Sequence, residues 1–193
     1  YEALADAKWK GRICIRSSDN IYNQSLVAAM IAHRGVAATE AWARAFVANF
    51  ARPPVGGDRD QVLAAAAGQC DVIVINTYYL GMMLTDADRA QREAAEKVAI
   101  HWPNQQDRGV HVNVSGIGVT AAAKHRANAI KLIEYLAGDA AQAWYAEANH
   151  EYPIRPGIAI SPTLKSFGRF KADRLELHKL GQYNADAVRL MDR

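Results

Sequence analysis

Two adjacent tyrosines, Tyr78 and Tyr79, stand where an apolar run ends and a helix-like stretch begins. A phenol ordinarily keeps its proton, with a pKa of about 10. A highly charged cation reverses that preference, because a bound ion inverts the local pKa logic. The resulting phenolate is a hard, anionic oxygen donor of the kind that suits trivalent iron, whereas softer divalent metals favour nitrogen or sulfur. Neighbouring helix residues point about 100° apart. In a first turn both can still reach one ion, since no earlier turn lies between them and it. For an isolated Tyr-Tyr the plain reading is an aromatic pair, one ring in the core and one at the surface.

The elements that must position this pair are readable from the pattern. Gly11–Arg16 is a short run rich in β-formers and reads as a buried strand. Ser17-Ser-Asp-Asn20 offers N-cap residues before an apolar-periodic helix from Tyr22 to His33, with Leu26, Met30 and His33 on one face and Val27 and Ile31 beside them. Gly35 ends it. A second helix is expected from about Thr39 to Ala51, with Trp42, Phe46 and Phe50 four residues apart, stopped by Pro53-Pro54. Asp58 is expected to cap a third helix that ends at Gly68. Asp71–Asn76 then encloses a continuous apolar run, typical of a strand buried on both faces, and Thr77 is the expected cap of the helix that carries Tyr78 and Tyr79. Alternating strands and helices argue for an α/β layer on a parallel sheet. In such sheets ligands gather beyond the carboxyl ends of strands. Ser17–Tyr22 and Asn76–Tyr79 both follow strand ends and can share one crevice. Beyond residue 109 the chain changes character. Val110–Val114 and Gly116–Val119 are extended and glycine-punctuated, and helices are expected at about Lys124–Ala137, Ala140–Ala148 and Arg174–Met191.

Bulk properties narrow the function. Half of the residues are hydrophobic, 22% are charged, and the net charge is +3. Lys and Arg are scattered, with no basic stripe interleaved with aromatics, so nucleic acid is a poor partner. No apolar run approaches the roughly 18 residues that would span a bilayer, so no membrane insertion is expected. The opening residues do not form a secretory signal, and the chain starts at Tyr1 rather than Met, as expected for a processed protein or a piece of a longer one. Cys14 and Cys70 lack CxxC spacing, which argues against a zinc or iron–sulfur site. They read as two buried free thiols or as one disulfide between neighbouring strands, the latter fitting an oxidising compartment.

Several stretches in order resemble the bacterial ferric-ion-binding proteins that serve iron ABC importers. These are Ile15–Leu26, Asn49–Arg52 with Gly56–Gln61, Gly68–Asp71 leading to Asn76–Tyr79, His111–Gly116, and Asn149–Pro153. The resemblance covers nearly the whole chain. It implies a periplasmic-binding-protein-like fold of type II: an α/β lobe with a doubly wound, mainly parallel sheet, plus part of a second lobe. Residues 1–109 would form the ligand-binding lobe, 110–154 would cross the hinge into a partial N-lobe, and 155–193 would return. It also implies a periplasmic protein that binds ferric iron, Fe3+, through Tyr22, Tyr78 and Tyr79 and delivers it to an ABC permease. A synergistic anion such as carbonate is implied beside the iron, with Arg16, Ser17 and Ser18 as candidate anion or supporting residues. The start of Ser17–Asn20 could also offer backbone N–H groups to an oxyanion. Family members are longer at the start, where a further His, Tyr or acidic ligand usually lies. The incomplete N-lobe face is a candidate surface for self-association.

Other classes fit less well. A binding protein for another oxyanion or small metabolite would keep the fold. So would the effector-sensing domain of a transcription regulator, but that needs a DNA-binding helix-turn-helix, absent here, and has no use for a tyrosine cluster. No GxSxG, HExxH or P-loop points to an enzyme. His33, His101, His111, His125, His150 and His178 show no metal-type i, i+4 pairing. Arg59 is a candidate near the crevice, and Asn76 is expected to tie down the turn.

Overall fold

The computed structural model describes residues 1–192. By its internal contacts the chain forms two compact units: Tyr1–Asn113 with Phe170–Arg193, and Val114–Arg169.

In the first unit β1 (Ile13–Ile15) leads to α1 (Ile21–Arg34), α2 (Val36–Val47) and α3 (Asp58–Ala66), then β2 (Val72–Val74), α4 (Thr77–Leu84) and α5 (Arg89–Ala95). β1 and β2 pair in parallel, Ile13 opposite Val72 and Ile15 opposite Val74. On the other side of β1, Ile13 forms a bridge with Phe50. This makes β1 the inner strand, fully buried, while β2 is only half-buried. The apolar run at Val72–Val74 packs on both faces, Val72 and Val74 against the layer of α1 and Ile73 against Cys14, Ala64 and Cys70, but it is half-buried rather than fully buried. It has a strand neighbour on one side only among the described residues.

Alternation along β1 sends its side chains to two different layers. Ile13 and Ile15 meet Leu26, Val27, Met30 and Ile31 of α1, Trp42 and Phe46 of α2, and Ala187 and Leu190 of α9 (His178–Met191). Cys14 points the other way, against Ala64 of α3. Helices thus cover both faces of β1. The expected aromatic row is present: Trp42 stacks on Phe46 and Phe46 meets Phe50 edge-on, each pair with centroids 4.9 Å apart.

Cys14 and Cys70 form a disulfide, with Cα atoms 5.9 Å apart. Of the two readings left open by their spacing, the cross-link is the one observed. Cys14 lies in β1 opposite Ile73, and Cys70 lies in the turn between α3 and β2, which packs with Ala64 beneath that face of the strand.

Element ends shift for identifiable reasons. Gly35 ends α1 with φ of +77° and directly starts α2, which begins at Val36 instead of Thr39. Gly57, not Asp58, precedes α3, and its N–H is held by Asp60 Oδ2 at 2.7 Å. Asn76, not Thr77, takes the N-cap position of α4. α9 starts at His178 because the preceding stretch is extended. There Val110 N–H donates to Lys171 O at 2.9 Å and Asp173 N–H to Val110 O at 2.8 Å. Gly109 enters this crossing with φ of +96°, and a Cβ there would lie 2.5 Å from Lys171 O. Only glycine fits both the backbone angle and the approach.

The second unit contains α6 (Arg126–Leu136), α7 (Asp139–Trp144), continued by a π turn over Tyr145–Asn149, and α8 (Pro162–Ser166). Gln142 organises it, donating to Leu136 O at 2.8 Å and accepting from Ile154 N–H at 3.0 Å. Ser161 caps α8, accepting from Leu164 N–H at 3.2 Å. No residue of α6 is buried, and Ile130, Leu132, Tyr135 and Trp144 are exposed. The glycine-rich stretch before α6 forms no regular strand.

Candidate metal centre

β1 ends at Ile15, and the chain turns through Arg16–Asn20 before α1. The turn is tied down from inside. Asn20 Oδ1 accepts Tyr22 N–H at 2.9 Å, the N-cap bond. The buried Asn23 donates to both Arg16 O and Ser17 O at 2.9 Å. Gln24 reaches Ser18 O and Asp19 O at 3.4 and 3.3 Å. Ser17 Oγ accepts Asp19 N–H at 3.2 Å, a local turn of the Ser/Thr type. The polar residues around Tyr22 thus fix the path that presents it.

β2 leads through Ile75 and Asn76 into α4, which places Tyr78 and Tyr79 in the first turn. Tyr22 Oη and Tyr79 Oη lie 3.4 Å apart. The rings of Tyr78 and Tyr79 are 4.5 Å apart between centroids, those of Tyr22 and Tyr79 6.5 Å. Asn76, at the N-cap position of α4, brings its Nδ2 to 3.5 Å from Tyr78 Oη and so joins the turn to the cluster. Three phenols from two strand ends therefore converge, the shared crevice that strand-end placement predicts.

The cluster is electrostatically graded. Hydrogen bonding from Tyr78, then from Tyr79, holds the Tyr22 hydroxyl below the usual phenol range. Burial, then bonding to Tyr22, pushes Tyr79 up. Burial and the two neighbouring phenols push Tyr78 up strongly. A nearby cation would favour the charged form of all three phenols. Among the described residues no group of three or more His, Cys, Asp and Glu is placed to hold a metal ion. The phenols are oxygen donors of the kind that suits a hard, highly charged cation.

Arg16 places its guanidinium 5.2 Å from the centre of the Tyr22 ring. Its Nη1 donates to Asp58 Oδ1 at 2.8 Å. The other oxygen of Asp58 accepts Asn76 N–H at 2.9 Å. Burial raises the Asp58 pKa, against the pull of those two bonds. The residue read as a helix cap is instead a buried link between β1, α3 and α4. Nothing local in the sequence marks it, because its burial depends on segments far away in the chain.

The remaining candidates lie apart from the phenols. Arg59 pairs with Asp86 at 2.8 Å, which ties α3 to the end of α4. His33 pairs with Asp173 at 2.6 Å, and His178 approaches Glu176 at 3.7 Å. His111 Nε2 and Ser25 Oγ are 3.0 Å apart. Burial, with smaller repulsion from His33 and Arg108, lowers the His111 pKa from 6.5 to about 4. The unfolded chain then takes up a proton that the folded chain refuses, so stability falls as pH drops from 6.5 towards 4. The loss reaches about 3 kcal/mol at full separation. Denaturant unfolding of His111→Gln across this range should show a correspondingly flatter profile. An unchanged slope would show that His111 does not carry it.

A family model described as "Bacterial extracellular solute-binding protein" matches residues 1–167. Among curated proteins, "Iron uptake protein A1" of Synechocystis sp. is 49% identical over 192 residues, covering 100% of this chain and 53% of that protein. The "Fe(3+)-binding periplasmic protein" of Serratia marcescens is 30% identical over 178 residues, 92% of this chain and 51% of that protein. The chain thus spans about half the length of these relatives. Among solved structures, Trichodesmium FutA in complex with iron and citrate superposes with a TM-score of 0.96 at 48% identity, covering all of this chain and 61% of that one. The ferric binding protein of Campylobacter jejuni gives 0.97 at 37% identity, with coverage of 100% and 61%.

Proposed function

The chain belongs to the bacterial extracellular solute-binding protein family, and from that premise we propose that it binds ferric iron through Tyr22, Tyr78 and Tyr79 and delivers it to an ABC permease. The observation that carries this reading is the convergence of three phenols at two strand ends. The relatives' names support the choice of ferric iron. The disulfide and those names support a periplasmic location. The unit with the tyrosines is assigned to the C-lobe, and the stretch of about 110–154 to the hinge crossing and partial N-lobe.

Three phenolates neutralise a trivalent cation charge for charge. Each must lose its proton, so loading is linked to pH and releases protons. No covalent chemistry is needed. An anion such as carbonate or citrate beside the ion is part of this reading. Arg16 stands next to the phenols, and its buried Nε–H has no hydrogen-bond partner among the described residues. The Trichodesmium neighbour carries citrate together with iron.

The test is proton release on loading with ferric citrate at constant pH, each trace corrected for citrate alone. One proton per bound phenol is expected, and the double variant Tyr78→Phe, Tyr79→Phe should release at least two fewer than the wild type. Equal release from both proteins would overturn phenolate ligation by that pair.

A further inference from the structure

Asp58 has a feature that helix capping does not explain. Its side chain is only 1% exposed, yet it carries a carboxylate in the first turn of α3. Burying a charge is costly unless its partners are well placed, and an apolar residue of similar size is often no worse for stability. Both oxygens of Asp58 are used. One holds Arg16, just past the end of β1, at 2.8 Å. The other holds the backbone N–H of Asn76, the N-cap of α4, at 2.9 Å. These segments are the two that present the phenols: Arg16 precedes the turn into Tyr22, and Asn76 precedes Tyr78 and Tyr79. Arg16 itself is mostly buried, with its guanidinium 5.2 Å from the Tyr22 ring centre. The carboxylate thus sets both the spacing of the two strand ends and the place of the cation beside the phenols.

We propose that Asp58 is a positioning residue of the tyrosine site, locking the Arg16 guanidinium and the start of α4 in the arrangement that retains a ferric ion. This rests on the ferric reading above. Asp58 and Arg16 then act as a unit. Removing either loosens the same arrangement, and removing both costs little more than removing one. Loss of a partner that orients a ligand commonly costs about 10–100-fold in metal affinity. Lysine at position 16 keeps the charge and loses the planar guanidinium that bonds Asp58 through Nη1 while lying beside the Tyr22 ring.

The experiment uses the full chain as wild type, Asp58→Asn, Arg16→Lys and the double variant. Each is loaded with ferric citrate and mixed with excess EDTA, following the visible phenolate band, its maximum and the thermal melt. Asp58→Asn and Arg16→Lys should each release iron at least about 10-fold faster than wild type, with a displaced band maximum. The double variant should release no faster than the faster single one. A wild-type band and release rate in Asp58→Asn, with only a lowered melt, would reduce Asp58 to a structural role and overturn the proposal, as would additive effects in the double variant. If Asp58→Asn does not fold, Arg16→Lys decides alone, and a wild-type release rate there overturns the proposal. A wild type that takes up no iron overturns the ferric reading, and this inference with it.

Discussion

Replacing Tyr78 and Tyr79 together by phenylalanine is expected to abolish the visible ferric band and to weaken iron binding by well over 100-fold. The magnitude follows from what the change removes. Even an outer partner of a metal ligand is commonly worth about 10–100-fold, and this variant deletes two donors outright. It leaves one phenol, Tyr22, to face a trivalent ion. Packing should survive, because the rings remain and only the hydroxyl groups go. The Tyr78–Tyr79 ring contact at 4.5 Å does not depend on them. Tyr22→Phe should be less severe than the double change. It would remove one donor, the hydroxyl that lies 3.4 Å from Tyr79 Oη. Equilibrium dialysis against citrate, run with a thermal melt of each variant, separates loss of ligation from loss of fold. A double variant that retains iron as wild type does would remove both residues from the ligand set.

The second large effect concerns the frame. Changing Cys14 and Cys70 to alanine removes a cross-link between residues 56 apart in sequence. Constraining a loop of that length restricts the unfolded chain by about 4 kcal/mol. For a chain of this size each kcal/mol moves the melting temperature by roughly 2–4 °C, so a drop of roughly 8–16 °C is expected. Alanine is the better replacement because both positions are buried beside Ala64, where a serine hydroxyl would have to be satisfied. Iron binding below the melt should persist, since the cross-link joins β1 to the turn before β2 and touches none of the phenols. A differential scanning trace that matches wild type would show that the parallel pairing of β1 and β2 holds without it.

Much of this was open to sequence reasoning, and the parts that were not share a cause. The two strands, the helix after each, and a crevice shared by Ser17–Tyr22 and Asn76–Tyr79 follow from short-range pattern plus one rule about strand ends, while the grouping of Tyr22 with Tyr78 and Tyr79 comes from the family resemblance. The aromatic row Trp42, Phe46, Phe50 follows from helical spacing. Asp58 was hidden because capping and burial look alike from Gly-Gly-Asp, and its partners lie 42 and 18 residues away. The half-exposure of β2 was hidden because an apolar run does not say whether a strand has one neighbour or two. The state of the cysteines waited on the path of the turn that carries Cys70 before β2, which pattern alone does not supply. The late start of α9 has the same origin: Asp173, bonded to His33 and to Val110 O, keeps the preceding stretch extended despite its leucines. Asn23 and Gln24 were legible only as polar helix residues, since the carbonyls they hold belong to a turn whose path the sequence leaves open.

The central claim is that phenolates of this chain hold ferric iron, and the visible spectrum of the purified protein during a ferric citrate titration tests it most directly. Phenolate-to-iron charge transfer should produce a broad visible band that grows to saturation and collapses on acidification, as the phenols regain their protons. A solution that stays colourless through the titration, with all iron remaining in the citrate fraction after gel filtration, would contradict the account.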